Sequence, residues 1–577
     1  MKTNQNGSKS NMVLQLLQNK WVEHPHQQLI NNSAPINLPP FIQQLFADRH
    51  LSDLRQLTTY LNPTTDYLYN PYHLPNMDKA VAIIKNAIAT NQKILIYGDY
   101  DVDGITATVI MYETLLGMGA QNLLYYLPSR LIDGYGPNLT RYKEFIKQGV
   151  QLIVTVDNGV GASEPIRYAR EHNVDVVITD HHEYNEDDIP PANAIVHPTL
   201  PQSEYPFTGL CGAGVAFKVA AALLYRQPTQ LLDLVTLGTI ADVMPMIGEN
   251  HIIVSKGLDA IRDTNRPGLK ALLKMVNIDM NYLSSTDLSF SVIPILNATG
   301  RIKSANLGFK LLTTHSQTEA EQLANQIMLY NNIRKSLQQQ YTKSALQQIK
   351  SQVTSNVIVG DGWHPGIAGI VAANVVEATN KPAIVLAKNN TTKLATGSAR
   401  STDGIDYLTS IQPYKSLTNT LGGHAQAFGL SVKLDQLSNF ISAVEHANLN
   451  VDSKATKAKY YDASIDLANV TLDLYQNIML LGPFGQSNGL PIFKFENFVI
   501  DQISAIGDHN DTIRITLNDI NGRKISAIGF NFNDEEVKTI MTHQNDHALT
   551  LIGTVSTNTF NHHTNVQIMI KDLGFIQ

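Results

Sequence analysis

The sequence predicts a multidomain α/β protein organised on a parallel sheet, and three features carry that expectation. From about residue 80, apolar runs of strand length alternate with stretches of helical period. Three of those runs end in Asp or His. A long segment without Gly or Pro then separates this region from a second alternating one. Strands alternating with helices of about 10 to 15 residues indicate βαβ units and a parallel sheet.

Taken in order, residues 1–78 read as a helical arm punctuated by Pro39, Pro40, Pro63, Pro71 and Pro75. The catalytic-type domain is expected over 79–317. Its strands are Ile94–Tyr97, Leu123–Tyr126, Leu152–Val156, Val174–Thr179 and Ala194–His197, and helices are expected over Ile105–Met118, Leu139–Gln148 and Ala162–His172. Residues 318–352 are rich in Gln, Glu, Leu, Ala and Lys, so one connector helix is the simplest reading. A smaller α/β domain follows over 353–447, with Asn356–Val359, Ile367–Ala378 and Ala383–Ala387 as its first elements. From 460 to 577, apolar and polar residues alternate between Gly and Asn turns, which predicts about five short strands in a small antiparallel barrel of OB type.

Composition narrows the function. A chain of 577 residues with 43% hydrophobic content can bury several cores. Its formal charge of −7, from 43 Lys and Arg against 50 Asp and Glu, argues against nonspecific coating of nucleic acid. Contact with nucleic acid must be local, and an acidic chain can still bind phosphate where carboxylates hold cations. Cys211 is the one cysteine, so no internal disulfide can form, and a reducing compartment is expected. The apolar run Met12–Leu17, broken by Gln15, is too short for a signal segment, and no run approaches the roughly 18 residues that cross a bilayer. The expected location is the cytoplasm, with no membrane contact.

The strongest local signal is Tyr97-Gly98-Asp99-Tyr100-Asp101-Val102-Asp103-Gly104, between a strand and a helix. Three aspartates at alternate positions repel one another unless cations lie between them. An EF-hand would also open Asp-x-Asp-x-Asp-Gly, but Ile110 stands where its bidentate Glu belongs, and a strand precedes the loop. Strand Leu152–Val156 ends in Asp157-Asn158-Gly159, and Val174–Thr179 ends in Asp180-His181-His182. These groups share the carboxyl edge of one parallel sheet, where open α/β folds bind ligands. Asp242, after a helical segment, completes the set. Taken singly, each of these residues reads as readily as a capping Asp or a surface His as it does as a ligand. Together, mixed Asp and His ligation suits Mn²⁺ or Mg²⁺, and two such ions form a clamp suited to phosphoester hydrolysis.

Asp180-His181-His182, with Gly98–Gly104, Val156–Gly159 and Ala241-Asp242, resembles the motif set of the DHH phosphoesterases in their RecJ branch. The resemblance implies that Asp101, Asp103, Asp157, His181 and Asp242 are metal ligands, with Asp157 as the bridge. It places Asp99, Asp180 and His182 beside them, orienting ligands or acting on the leaving group.

Further motifs match the same family. Asn297-Ala298-Thr299-Gly300-Arg301-Ile302 reads as a small-residue turn presenting an Arg fork to phosphate. Gly362–Val371, Gly397-Ser398-Ala399-Arg400-Ser401 and Gly422-Gly423-His424 resemble the DHHA1 substrate-binding domain. Arg301, Ser398, Arg400 and His424 are thereby the candidates for nucleic acid, the first three for a 5′-terminal phosphate. Gly212–Lys218 opens a helix that could cradle phosphate, but its small residues read better as close packing. Trp363 serves equally well as core or as a stacking platform. Ser487, where the family more usually has Gly, and Phe428, where it has a small residue, are departures.

The resemblance implies a 5′ to 3′ exonuclease that releases 5′-mononucleotides from single-stranded DNA by a two-metal-ion mechanism in repair and recombination. It implies a monomer fed by a RecQ-type helicase and a single-stranded-DNA-binding protein. Three alternatives remain in view. A small-substrate phosphoesterase would more typically begin its first motif with His-Pro-Asp and lack a barrel. A catalytically dead scaffold would have lost ligands, and an NAD-dependent oxidoreductase needs a Gly-x-Gly-x-x-Gly that does not follow the first strand.

Overall fold

The computed structural model describes residues 21–27, 38–130, 132–451, 459–506, 512–530, 532, 534–542, 549–560 and 563–575. The chain divides into two compact units, one formed by 65–456 and the other by 1–64 with 457–577.

The larger unit opens with α1 (Met77–Ala89), then β1 (Ile94–Tyr97), α2 (Val102–Gly117), β2 (Leu123–Tyr126), α3 (Leu139–Lys147), β3 (Leu152–Val156), α4 (Ser163–Glu171), β4 (Asp175–Thr179) and β5 (Ala194–Val196). The five strands pair in parallel in the order β2-β1-β3-β4-β5. β1 and β3 are buried along their whole length because helices cover both faces of the sheet. On one face, α2 packs with α5 (Gly212–Leu224) and α6 (Leu232–Ala241) around Ile96, Val109, Val154, Phe217 and Val235. On the other, Tyr97, Tyr142, Ile153 and Ile166 form a second core. α2 and α5 are buried on nearly every side, so their apolar residues run all round them instead of forming one stripe.

After α7 (Ile293–Ile302), the connector appears as one 30-residue helix, α8 (Gln317–Leu346). The remainder of this unit is a five-stranded sheet built from β6 (Asn356–Asp361), β7 (Ala383–Asn389), β8 (Leu394–Arg400), β9 (Thr420–His424) and β10 (Ala427–Lys433). Helix α9 (Ala368–Thr379) lies between β6 and β7 in the chain. The strand order is β9-β10-β8-β7-β6; β6 and β7 pair in parallel, and the other neighbours pair antiparallel. Phe428 lies in this sheet's core against Tyr407. Trp363 stacks on Tyr341 of α8, with centroids 4.6 Å apart and planes 4° from parallel, so its ring packs the lobe.

The other unit carries a seven-stranded sheet. It is mixed and not purely antiparallel: Ala463–Asp466 runs parallel to Phe493–Glu496, and Lys524–Gly529 runs parallel to His563–Phe575. Its core takes in Leu38, Ile42, Leu45, Phe46 and Leu57 together with Phe493, Ile515 and Leu551. The segment expected as a helical arm is therefore divided. Its helices Pro40–Ala47 and Leu54–Leu61 complete the core of the C-terminal sheet, while 65–78 belongs to the larger unit. Ser487 has a φ of +62°, the left-handed region that explains why Gly suits this position.

Candidate metal centre and anion pocket

The centre forms where β1, β3 and β4 end side by side. Asp99 follows β1 after one glycine and is 1% exposed. Asp101 caps α2, its Oδ1 accepting from the Gly104 amide at 3.1 Å. Asp103 lies in the first turn of α2, and its two oxygens accept from the Gly212 and Ala213 amides at 2.7 and 2.8 Å. The start of α5 thus binds an anion, but the anion is the chain's own carboxylate. Gly212 also packs closely, because a Cβ there would stand 2.3 Å from Asp157 Oδ1.

Asp157 follows β3 directly with a φ of +62°, a conformation that Asp tolerates better than most residues, and it is 2% exposed. His181, after β4, brings the set together. Its Nε2 lies 3.2 Å from Asp157 Oδ1, 3.5 Å from Asp242 Oδ2 and 3.8 Å from Asp103 Oδ2. Asp242 ends α6 as its C-cap. Asp180 is fixed by the amides of Val160, His181 and His182 at 2.9, 2.8 and 3.2 Å, and it holds His182 Nδ1 at 2.8 Å.

Three overlapping groups could each hold a cation: Asp103, His181 and Asp242; Asp99, Asp101 and Asp157; and Asp157, His181 and His182. Within each, the ligand atoms lie within 4.8 Å of one another. All the residues expected at the centre therefore converge, and Asp157 belongs to two of the groups.

The electrostatics call for cations. Burial, then repulsion from neighbouring aspartates, pushes Asp99, Asp101 and Asp157 above the usual carboxylate range. Burial and the Asp103 charge push Asp242 up to about 8. Burial lowers His181 to about 4. Burial opposes charge on His182 too, but the hydrogen bond to Asp180 overrides it and raises the ring to about 9. Burial alone would raise Asp180; its bond to His182 and the nearby imidazoles hold it well below the ordinary value. Among the described residues, Asp99 Oδ1, Asp157 Oδ1 and His181 Nε2 are buried without a hydrogen-bond partner. Such orphaned acceptors are costly unless an ion meets them, so the donor set fits hard divalent cations.

A second cluster adjoins this one. Arg301 is partly buried and is lowered to about 10, by burial first and then by Arg130, with Arg400 and Arg334 acting in the same direction. Arg400 is lowered by burial and by Arg130, and its Nη1 donates to Ser398 Oγ at 2.9 Å. Arg130 lies 4.4 Å over the Tyr100 ring with its Nε buried and unpartnered. Among the described residues, none of Arg130, Arg301 and Arg400 has a carboxylate within 4 Å, so their charges are available to an outside anion.

Asn297–Ile302 is not the turn expected; it forms the last turns of α7. Gly300 is there for close approach, since a Cβ would meet the Tyr100 carbonyl at 2.2 Å. His424 is exposed at the end of β9, on the same rung of the sheet as Arg400 through Ala427 of β10, with its Nδ1 3.2 Å from Glu183 Oε2. Arg130 and Tyr135 were not among the residues expected here. Both lie in the loop between β2 and α3, and Tyr135 reaches His182. The Gly-Tyr-Gly of residues 134–136 was the only signal available.

Comparison with known proteins agrees with this architecture. Residues 93–239 match the DHH family, N-terminal domain; 349–448 match the DHHA1 domain; and 461–572 match the RecJ OB domain. The single-stranded-DNA-specific exonuclease RecJ of Bacillus subtilis is 33% identical over 96% of this chain and 70% of its own length. That of Escherichia coli is 31% identical over 86% of this chain and 90% of its own. The crystal structure of RecJ in complex with Mn²⁺ from Thermus thermophilus superposes with a TM-score of 0.77 at 24% identity, covering 94% of this chain and 76% of that one. A structure of exonuclease RecJ bound to manganese gives 0.58 at 31% identity over 64% and 94%. The parallel-sheet, DHHA1 and OB-type fold read from the sequence is borne out.

Proposed function

The chain belongs to the RecJ family of single-stranded-DNA-specific exonucleases, and from that premise we propose that it hydrolyses single-stranded DNA from the 5′ end to 5′-mononucleotides. The observation that carries the reading is the pairing of two features in one unit: a carboxylate and imidazole cluster with orphaned buried acceptors, and beside it three guanidiniums with no carboxylate partner.

In this proposal Asp101, Asp103, Asp157, His181 and Asp242 would hold two divalent ions, Mn²⁺ or Mg²⁺, and Asp157, which belongs to two of the three ligand groups, would serve both. Such ions, when bound, neutralise phosphate charge and activate water for in-line displacement. The amides of Gly212 and Ala213 fix Asp103, so that carboxylate needs no reorganisation on loading. Asp180 holds the proton on His182 Nδ1 and sets the ring's orientation. His182 then stands beside the cluster as the group able to pass a proton to the departing 3′ oxygen. Arg130, Arg301, Arg400 and Ser398 grip the terminal 5′-phosphate. That grip measures one nucleotide from the strand's end and makes the activity exonucleolytic. The C-terminal unit supplies further strand affinity, as OB folds do.

With this activity we propose a role in repair and recombination, in which a helicase and a single-strand-binding protein present the strand. Among the described residues no helix is long and apolar enough to cross a membrane.

The test is product length against time. Oligonucleotides labelled at the 3′ end, single- or double-stranded, are incubated with Mn²⁺, Mg²⁺ or chelator. Single strands shortened from the 5′ end one nucleotide at a time, only with added metal, are the expected result. Internal cuts, equal attack on duplex, or activity in chelator would overturn the reading.

A further inference from the structure

Tyr135 combines exposure with deep engagement. The residue is 52% exposed, yet its hydroxyl lies 2.9 and 3.1 Å from the two ring nitrogens of His182 and donates to the Asp157 carbonyl at 3.3 Å. Nδ1 of His182 is already committed to Asp180, which can only accept. Nε2 is therefore the nitrogen left for the tyrosine. A single hydroxyl thus joins two segments that bear catalytic-type residues, the turn at Asp157 and the imidazole at 182.

The loop that carries Tyr135 is built to hold it there. Asp133 accepts from the Ser129 amide at 2.8 Å, from the Tyr126 hydroxyl at 2.7 Å and from Arg141 Nε at 2.8 Å. The Tyr97 hydroxyl donates to the Gly136 carbonyl at 3.2 Å, and Asn138 Nδ2 donates to the Asp133 carbonyl at 3.1 Å. Gly134 and Gly136 have φ of +80° and +75°, which a side chain would strain. Tyr100 meets the Tyr135 ring edge to face, with centroids 6.5 Å apart, and the His182 ring meets it at 5.3 Å. A rigid base with one tyrosine projecting into the centre is how a scaffold presents a functional group.

We propose that Tyr135 is a positioning residue for the reaction. Its hydroxyl, anchored on the Asp157 carbonyl, accepts from Nε2–H of His182 and holds the ring in one plane beside Asp180 until the leaving oxygen takes that proton in its place. The inference rests on the reading of His182 given above and adds to it a residue on a different loop. It differs from a packing role, which the ring alone would fulfil, and from substrate binding, which would act on KM.

The discriminating variant is Tyr135→Phe, which keeps the ring and removes one oxygen, measured on 5′-phosphorylated single-stranded DNA with saturating Mn²⁺. Loss of a hydrogen-bond partner that orients a side chain at a metal site typically costs about 10- to 100-fold in metal affinity or activity. The expected result is a kcat lowered at least about 10-fold, with KM within about twofold of the parent and an unchanged melting temperature. Tyr135→Leu should lose no less activity and also some stability. An unchanged kcat for Tyr135→Phe would overturn the proposal. So would a loss appearing mainly in KM, or one that tracks a fall in melting temperature. His182→Ala, assayed alongside, separates the two readings. If it cleaves like the parent, the role given to His182 fails; if it is impaired while Tyr135→Phe is not, only the positioning role fails.

Discussion

Gly212→Ala adds one methyl group and should disable the centre without unfolding the chain. The added carbon would stand 2.3 Å from both Cβ and Oδ1 of Asp157 and 2.5 Å from its Cγ. An ordinary contact needs about 3.4 Å or more, so the carboxylate and the helix start must separate by roughly 1 Å. Neither yields easily. Asp157 sits in a left-handed turn anchored through its amide to the Thr179 carbonyl at 3.0 Å, and Gly212 is tied through its own amide to Asp103. Overpacking of this kind costs about 1–3 kcal/mol of stability. A misplacement of about 1 Å in a catalytic group costs on the order of 100-fold in rate. The expected outcome is therefore a folded variant whose cleavage of labelled single-stranded DNA falls about 100-fold at saturating Mn²⁺, with a modest drop in melting temperature. Gly214→Ala, on the same helix, is the control. Its Cβ would meet Leu210 at 3.3 Å and touches no carboxylate, so its rate should stay within a few fold of the parent. A Gly212→Ala enzyme as fast as the parent, or a Gly214→Ala enzyme equally impaired, would refute the reasoning.

Two other outcomes follow from the electrostatics. Arg400→Ala should reduce the preference for 5′-phosphorylated over 5′-hydroxyl ends by about 10-fold or more, since charge-assisted hydrogen bonds contribute about 1.5–3 kcal/mol. Competition between the two substrates measures this, and an unchanged preference contradicts the pocket. The second outcome concerns pH. Asp99, Asp101, Asp157 and Asp242 are all raised in the fold, Asp242 to about 8. A raised carboxylate contributes stability that is fully present below its unfolded pKa of about 3.9 and is lost as the pH climbs through the folded value. The metal-free chain should therefore lose stability from about pH 4 to about pH 8, and divalent cations should restore it. Melts with Mn²⁺ and with chelator should diverge more at pH 8.5 than at pH 6; equal divergence would mean that these carboxylates are not what the ions meet.

Much of the sheet was legible because buried parallel strands announce themselves as short apolar runs. Ile94–Tyr97 and Leu152–Val156, buried throughout, have the bounds expected of them. The aspartates were legible for a related reason, since charges directly after such strands have few structural uses. Three things were not. Gly300 reads as a turn residue, yet it lies inside a helix where it admits the Tyr100 carbonyl, and spacing alone does not distinguish those uses of Gly. Arg130 and Tyr135 sit in a loop without periodicity, whose shape comes from bracing by Asp133, Arg141 and Tyr97. The helices at 40–61 share a core with strands some 400 residues later in the chain, a pairing that local pattern cannot disclose.

The claim underlying all of this is that Asp157 helps gather divalent cations at the meeting point of three strands. Equilibrium Mn²⁺ binding, read by electron paramagnetic resonance on the parent and on Asp157→Ala, tests it most directly. The account predicts two tightly held ions on the parent, at least one lost from the variant, and cleavage lost with it while the variant stays folded. Full Mn²⁺ occupancy in Asp157→Ala with undiminished cleavage would contradict it.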